Sequence, residues 1–231
     1  EFCRAIDCVA AVRDAVGNDV ELLIECHGRL NPKTAIQVAR ALVPYSPMFL
    51  EEPVPPDNLD ALAAVHRASP IPIAAGERIY SIYQCREFLE KGCADYFQPD
   101  VSHCGGISAV RKMAAMAEPY YIDIAPHNPS GPIANAATLQ LAGCLMNFRI
   151  LEIMINDVSW RSELTSERVE FFDGHIKIPC GPGLSLELHE NACAKYPFRP
   201  ISLRHYNGTL TDVRPASAAT TYYFKGISVV E

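Results

Sequence analysis

Six ionisable side chains recur at nearly even intervals along the chain. They are Glu25, Glu51, Glu77, Asp100, His127 and Glu152, separated by 26, 26, 23, 27 and 25 residues, and each closes a short apolar run. Three carboxylates in succession offer hard oxygen donors, a set that suits Mg²⁺ when water and substrate fill the remaining positions. The next two members are a carboxylate and an imidazole. Side by side, Asp100 would fix the tautomer of His127 and raise its basicity, which makes a general base. The stretch "IECHGR" (24–29) puts His27 two residues after Glu25. On an extended strand both side chains share one face, so His27 would lie beside the cation and face a substrate. Gly28 then lets the backbone turn away.

Taken singly, these residues mean little. A glutamate at a strand end is usually solvated, Asp100 could simply cap the helix that follows, and His127 before Asn-Pro suits a turn. Six such residues at one spacing carry the inference instead. His66, His103, His175, His189 and His205 fall outside the pattern and read as ordinary turn or surface residues.

The elements that must position the six follow from the same spacing. β-prone runs at 20–25, 47–51, 70–77, 95–100, 120–127 and 148–152 alternate with stretches of helical periodicity. Within "AVRKMAAMA", for example, Val110, Met113, Ala114 and Ala117 share a face. A repeat of about 25 residues is the length of one β/α unit, and strand–helix alternation of this kind builds a parallel sheet. In a closed barrel every carboxyl end of a strand opens on one mouth, whereas in an open sheet distant strand ends do not converge. The fold expected is therefore α/β, a closed β/α barrel of the TIM type. The chain opens within a helix and shows six strand–helix units, so the expected barrel is incomplete at its N-terminus by two strands. Residues 1–195 form the expected catalytic barrel portion. After Glu152, "VEFFDGHIKIPCGPGLSLELHE" reads as a hairpin with turns at Asp173-Gly174 and Gly181-Pro182-Gly183. Residues 196–231 lack any period and read as an extended tail.

Bulk properties narrow the function further. The chain has 231 residues, 49% hydrophobic and 20% charged, with a net charge of −7. That balance and the absence of a dense Lys/Arg block exclude a nucleic-acid footprint. No apolar stretch is long enough to cross a bilayer, and the first residues lack the basic start of a signal peptide. Nine scattered cysteines without CxxC spacing, several of them in apolar runs such as those of Cys8 and Cys144, favour buried free thiols in a reducing cytoplasm. The unpaired sheet edges of a partial barrel favour self-association into a homo-oligomer.

"FLEEPV", "AAGER", "QPDVSHCGGI", "APHNPSGP" and "GPGL", in this order, resemble the mandelate racemase subgroup of the enolase superfamily. "HGR" after the first acidic residue, with "PHNPSGP", looks most like its galactonate dehydratase-type sugar-acid dehydratases. The resemblance extends over about residues 1–195 and implies that the barrel is of the (β/α)7β form. It implies that Glu25, Glu51 and Glu77 bind Mg²⁺ and that His127, paired with Asp100, abstracts the α-proton of a sugar acid such as galactonate. It further implies that His27 protonates the departing β-hydroxyl and that Glu152 hydrogen-bonds the substrate carboxylate. The product would be a 2-keto-3-deoxy acid. The family usually has Asp at the first ligand; Glu25 is one methylene longer, displacing the carboxylate by on the order of 1.5 Å. The resemblance also implies an N-terminal α+β capping domain, absent from this sequence, whose loops select the substrate. Two other readings stand beside the dehydratase: a racemase, epimerase or other aldonate dehydratase on the same site, and a truncated relative that binds anionic sugars without turnover.

Overall fold

The computed structural model describes residues 2–154, 158–166 and 171–197. They group into two compact units, one ending at Ile73 and one spanning Ala74–Pro197.

The first unit begins with α1 (Phe2–Val16), β1 (Leu23–Glu25), α2 (Pro32–Leu42), β2 (Phe49–Glu51) and α3 (Leu59–Ala68). Local chemistry starts each helix. The side chain of Asn31 accepts from Thr34 N–H at 2.9 Å, with Pro32 in the first turn, and Asn58 accepts from Ala61 N–H at 3.0 Å. α2 buries Ala35, Ala39 and Leu42, one stripe at helical spacing, and packs between α1 and α3. β1 and β2 pair in parallel, with Leu23 opposite Phe49, Ile24 opposite Leu50 and Glu25 opposite Glu51.

The division between the units falls inside β3 (Ile73–Ala75). The second unit continues with α4 (Ile82–Lys91), β4 (Tyr96–Phe97), α5 (Ile107–Ala117), β5 (Asp123–Ile124) and α6 (Pro132–Ala142). Ser81 caps α4, and Gly92 closes it at φ +63, a left-handed position that glycine occupies without cost. β3, β4 and β5 are consecutive neighbours and all parallel. α4 packs on α5 and α5 on α6. α5 buries Val110, Met113, Ala114 and Ala117, the face read from the sequence. Phe88 and Phe97 meet in the core with ring centroids 5.2 Å apart. Their contact explains Gly76, at φ +135, where an added Cβ would lie 2.5 Å from Phe97 Cδ2.

The expected strands thus occur at five of the six runs, each two or three residues long. The sixth run, 148–152, is not a strand. It contributes a single parallel bridge from Phe148 to Ile124, and the chain then leaves the sheet. The predicted hairpin forms as β6 (Phe171–Phe172) and β7 (His175–Ile176), antiparallel around Asp173 at φ +47 and Gly174 at φ +71. A short α7 (Glu190–Lys195) follows. Of the predicted tail, residues 198–231 lie outside the described residues. Among the described residues, no helix is long and apolar enough to cross a membrane.

Candidate active site

Each of the six ionisable residues lies at or just beyond the carboxyl end of its run. Glu25 and Glu51 end their strands, Glu77 follows β3 by two residues, Asp100 and His127 follow β4 and β5 by three, and Glu152 follows the Phe148 bridge by four.

In the first unit, Glu25 and Glu51 are register partners. Partners on adjacent parallel strands point to the same face about 4.8 Å apart, so two carboxylates stand side by side. The turns beyond them are tied together as well. Cys26 N–H donates to Glu51 O at 3.0 Å, Gly28 N–H to Glu52 O at 2.6 Å and Leu30 N–H to Pro53 O at 3.1 Å. The crowding of negative charge registers on the neighbouring thiol. Burial, and behind it the charges of Glu25 and Glu51, push Cys26 up to about 12 against the opposing pull of Arg29.

His27 departs from its expected placement. Its backbone is at φ +52, in the left-handed region, and Gly28 follows at φ +63. The strand has already ended at Glu25, so the alternation that would set Glu25 and His27 on one face does not extend to His27. The residue lies exposed in a turn, and its own N–H donates to the Glu25 carboxylate.

In the second unit, His127 and Asp100 form the expected pair. His127 Nδ1 lies 2.7 Å from Asp100 Oδ2, with the Asp100 side chain 1% exposed. The other Asp100 oxygen accepts from Ser102 N–H at 2.6 Å. Asp100 therefore does not cap α5, whose first residue is Ile107. On the far side of the ring, Nε2 lies 3.3 Å from Glu77 Oε2, and Arg78 Nε pairs with Glu77 Oε1 at 3.0 Å. Burial pulls His127 toward the neutral form, but its hydrogen bond to Asp100 and the charges of Glu77, Glu152 and Asp100 together outweigh it, so its pKa is raised. Burial pushes Asp100 up, yet the bonds from His127 and Ser102 and the two imidazoles hold it below the ordinary aspartate value. The pair is thus set as carboxylate and basic imidazole.

Two features escape the sequence reading. Asn128, buried beside His127, donates its backbone N–H to Glu152 Oε2 at 2.9 Å and its side-chain amide to Asn135 Oδ1 at 2.8 Å and Glu152 O at 3.1 Å. Asn135 and Thr138 are buried on α6, so a polar strip on that helix clamps the turn carrying His127. The cue was available: Asn and Thr interrupt "GPIANAATLQLAG" on its inward face. The second is His103, set aside as a turn residue. It lies with its ring centroid 5.8 Å from that of His127 and its Nδ1 3.3 Å from Glu77 O.

The family described as "Enolase C-terminal domain-like" matches residues 2–192. The chain belongs to that family. Among relatives, a D-gluconate dehydratase of Thermoproteus tenax is 34% identical over 204 residues, 88% of this chain and 41% of the relative. A D-galactonate dehydratase of Ralstonia nicotianae is 38% identical over 200 residues, 82% of this chain and 52% of the relative. The crystal structure of a mandelate racemase/muconate lactonizing enzyme-like protein from Rubrobacter xylanophilus is 39% identical, with a TM-score of 0.81 over 85% of this chain and 50% of that one. The chain spans about half the length of the curated relatives it matches. Its short parallel strands and intervening helices are those of the enolase-family β/α barrel.

Proposed function

We propose that this protein dehydrates a sugar acid of the aldonate class, such as gluconate or galactonate, to a 2-keto-3-deoxy acid. The observation that carries the reading is the Asp100–His127 pair. A buried carboxylate 2.7 Å from Nδ1 directs the ring proton to that nitrogen and leaves Nε2 as a base. The relatives' sugar-acid dehydratase names support the substrate class.

The α-proton of a carboxylate is weakly acidic, so its removal needs both a base and a partner for the charge that develops. Glu25, Glu51 and Glu77 would hold Mg²⁺. Their fit rests on the donor set: carboxylate oxygens are the hard donors that magnesium takes, and Glu25 and Glu51 stand as register partners on adjacent strands of the first unit. When bound, the ion would neutralise the enediolate charge. His127 takes the C2 proton on Nε2. The C3–O bond breaks, and His27 supplies the proton with which that oxygen leaves as water. The enol that remains tautomerises to the 2-keto acid. Glu152 hydrogen-bonds the substrate carboxyl end, its position set by the Asn128 bonds. Of the nine free thiols Cys85, Cys93 and Cys104 are buried, whereas Cys8 and Cys144, expected to be buried, lie exposed; free thiols fit a reducing, cytoplasmic setting.

The test is a panel of aldonates with Mg²⁺, followed by semicarbazide absorbance of the 2-keto product. Product from gluconate, galactonate or a related aldonate supports the reading; none from any aldonate, with the protein folded and Mg²⁺ bound, refutes it.

A further inference from the structure

Asp100, His103 and His127 each present a ligand atom within 4.8 Å of the other two. All three belong to the second unit. The set differs in kind from the three glutamates. Two imidazoles with one carboxylate are borderline donors, which favour zinc, cobalt or nickel over magnesium. Its dimensions also suit such an ion. Zinc bonds of about 2.0–2.1 Å in a tetrahedron hold neighbouring ligand atoms on the order of 3.3 Å apart. Asp100 Oδ2 lies 2.7 Å from His127 Nδ1 and 3.8 Å from His103 Nδ1, distances that bracket that edge. Asp100 is fixed in the interior, whereas the His103 side chain is 45% exposed, which opens a route from solvent.

We infer that Asp100, His103 and His127 bind Zn²⁺ or a similar borderline cation, and that filling this site silences the catalytic base. Binding exchanges two existing contacts, Asp100–His127 and His103 Nδ1 to Glu77 O, for bonds to the ion. Each neutral ring then gives its Nδ1 lone pair to the cation and carries its one proton on Nε2. A His127 ring protonated at Nε2 has no lone pair left with which to take an α-proton. The cation site stands independently of the dehydratase reading; only its inhibitory consequence rests on that reading.

Calorimetry with Zn²⁺, and visible absorption with Co²⁺, are measured on protein kept in excess Mg²⁺. The expected result is one bound equivalent whose affinity falls in His103→Gln by at least the roughly 10–100-fold that losing a ligand's supporting partner costs. Inhibition of sugar-acid turnover by zinc is lost in that variant, measured against the variant's own zinc-free rate. The inference is overturned if the wild-type protein takes up neither ion, if His103→Gln binds as tightly as wild type, or if Mg²⁺ displaces the bound zinc, which would put it among the glutamates. A protein inactive on every aldonate would remove the dehydratase reading while the calorimetry and the Co²⁺ spectrum still decide the cation site.

Discussion

Asp100→Asn isolates what the buried carboxylate does for His127. The substitution keeps shape and volume at a position 1% exposed, and the amide oxygen can still accept from Ser102 N–H, now 2.6 Å from Asp100 Oδ1. The amide NH₂ must then face His127 Nδ1, where the carboxylate stood at 2.7 Å. A donor there compels Nδ1 to accept, so the ring proton moves to Nε2 and the base is blocked. Two effects add. Losing a hydrogen bond to a charged group costs about 1.5–3 kcal/mol, which at about 1.4 kcal/mol per decade is roughly 10–150-fold. The wrong tautomer is worth more: the same exchange in a Ser-His-Asp triad lowers kcat by about 10⁴. The expected loss of kcat/KM is therefore on the order of 10²–10⁴, with the protein folded by circular dichroism and Mg²⁺ affinity retained. Steady-state kinetics by semicarbazide absorbance measures it. A loss below about tenfold would show that Asp100 does not set the tautomer, and the assignment of the base would lose its physical reason.

Other outcomes follow from the same contacts. Gly76→Ala should destabilise by about 1–3 kcal/mol from overpacking alone, because the new Cβ would lie 2.5 Å from Phe97 Cδ2 and 2.9 Å from Gln98 N at φ +135; an unchanged denaturation midpoint would contradict this. In metal-free protein, the raised His127 pKa stabilises the fold fully below the unfolded value of 6.5 and is lost as pH rises through the folded pKa above it. The lowered Asp100 pKa stabilises above 3.8 and is lost as pH falls through its folded value. Thermal melts against pH should therefore decline as pH rises above 6.5 in wild type, and that decline should flatten in His127→Gln. Glu51→Gln should weaken Mg²⁺ binding by calorimetry by at least tenfold, about 1.4 kcal/mol, while the helical circular dichroism persists; unchanged Mg²⁺ affinity would remove Glu51 from the ligand set.

Much of this architecture was readable because its signals repeat. A 26-residue step from Glu25 to Glu51 and on to Glu77 marks β/α units whether or not any one strand is long, and the observed strands are indeed only two or three residues. The helices were plainer still, since apolar periodicity is a local signal: Val110, Met113, Ala114 and Ala117 recur at helical spacing and are the face that α5 buries. What was not legible lies in backbone angles and in contacts distant along the chain. "FRILE" has strand composition, yet it forms only the one bridge from Phe148 to Ile124, with Arg149 N–H donating to Ile124 O at 2.8 Å, and no continuous strand among the described residues. His27 obeys the i, i+2 rule on paper but sits past the strand end at φ +52. His103 looks like any turn histidine until its turn folds back onto the Glu77 carbonyl. Asn128 reads as a turn residue before Pro129, and its role comes from partners 7 and 24 positions away.

The claim on which the account turns is that His127 removes the α-proton. Proton NMR of an aldonate in deuterated water measures this directly, in His27→Asn, where the hydroxyl cannot leave, and in His127→Asn. Exchange of the C2 proton without dehydration in His27→Asn, and none in His127→Asn, is the predicted result. Exchange that persists in His127→Asn would contradict it.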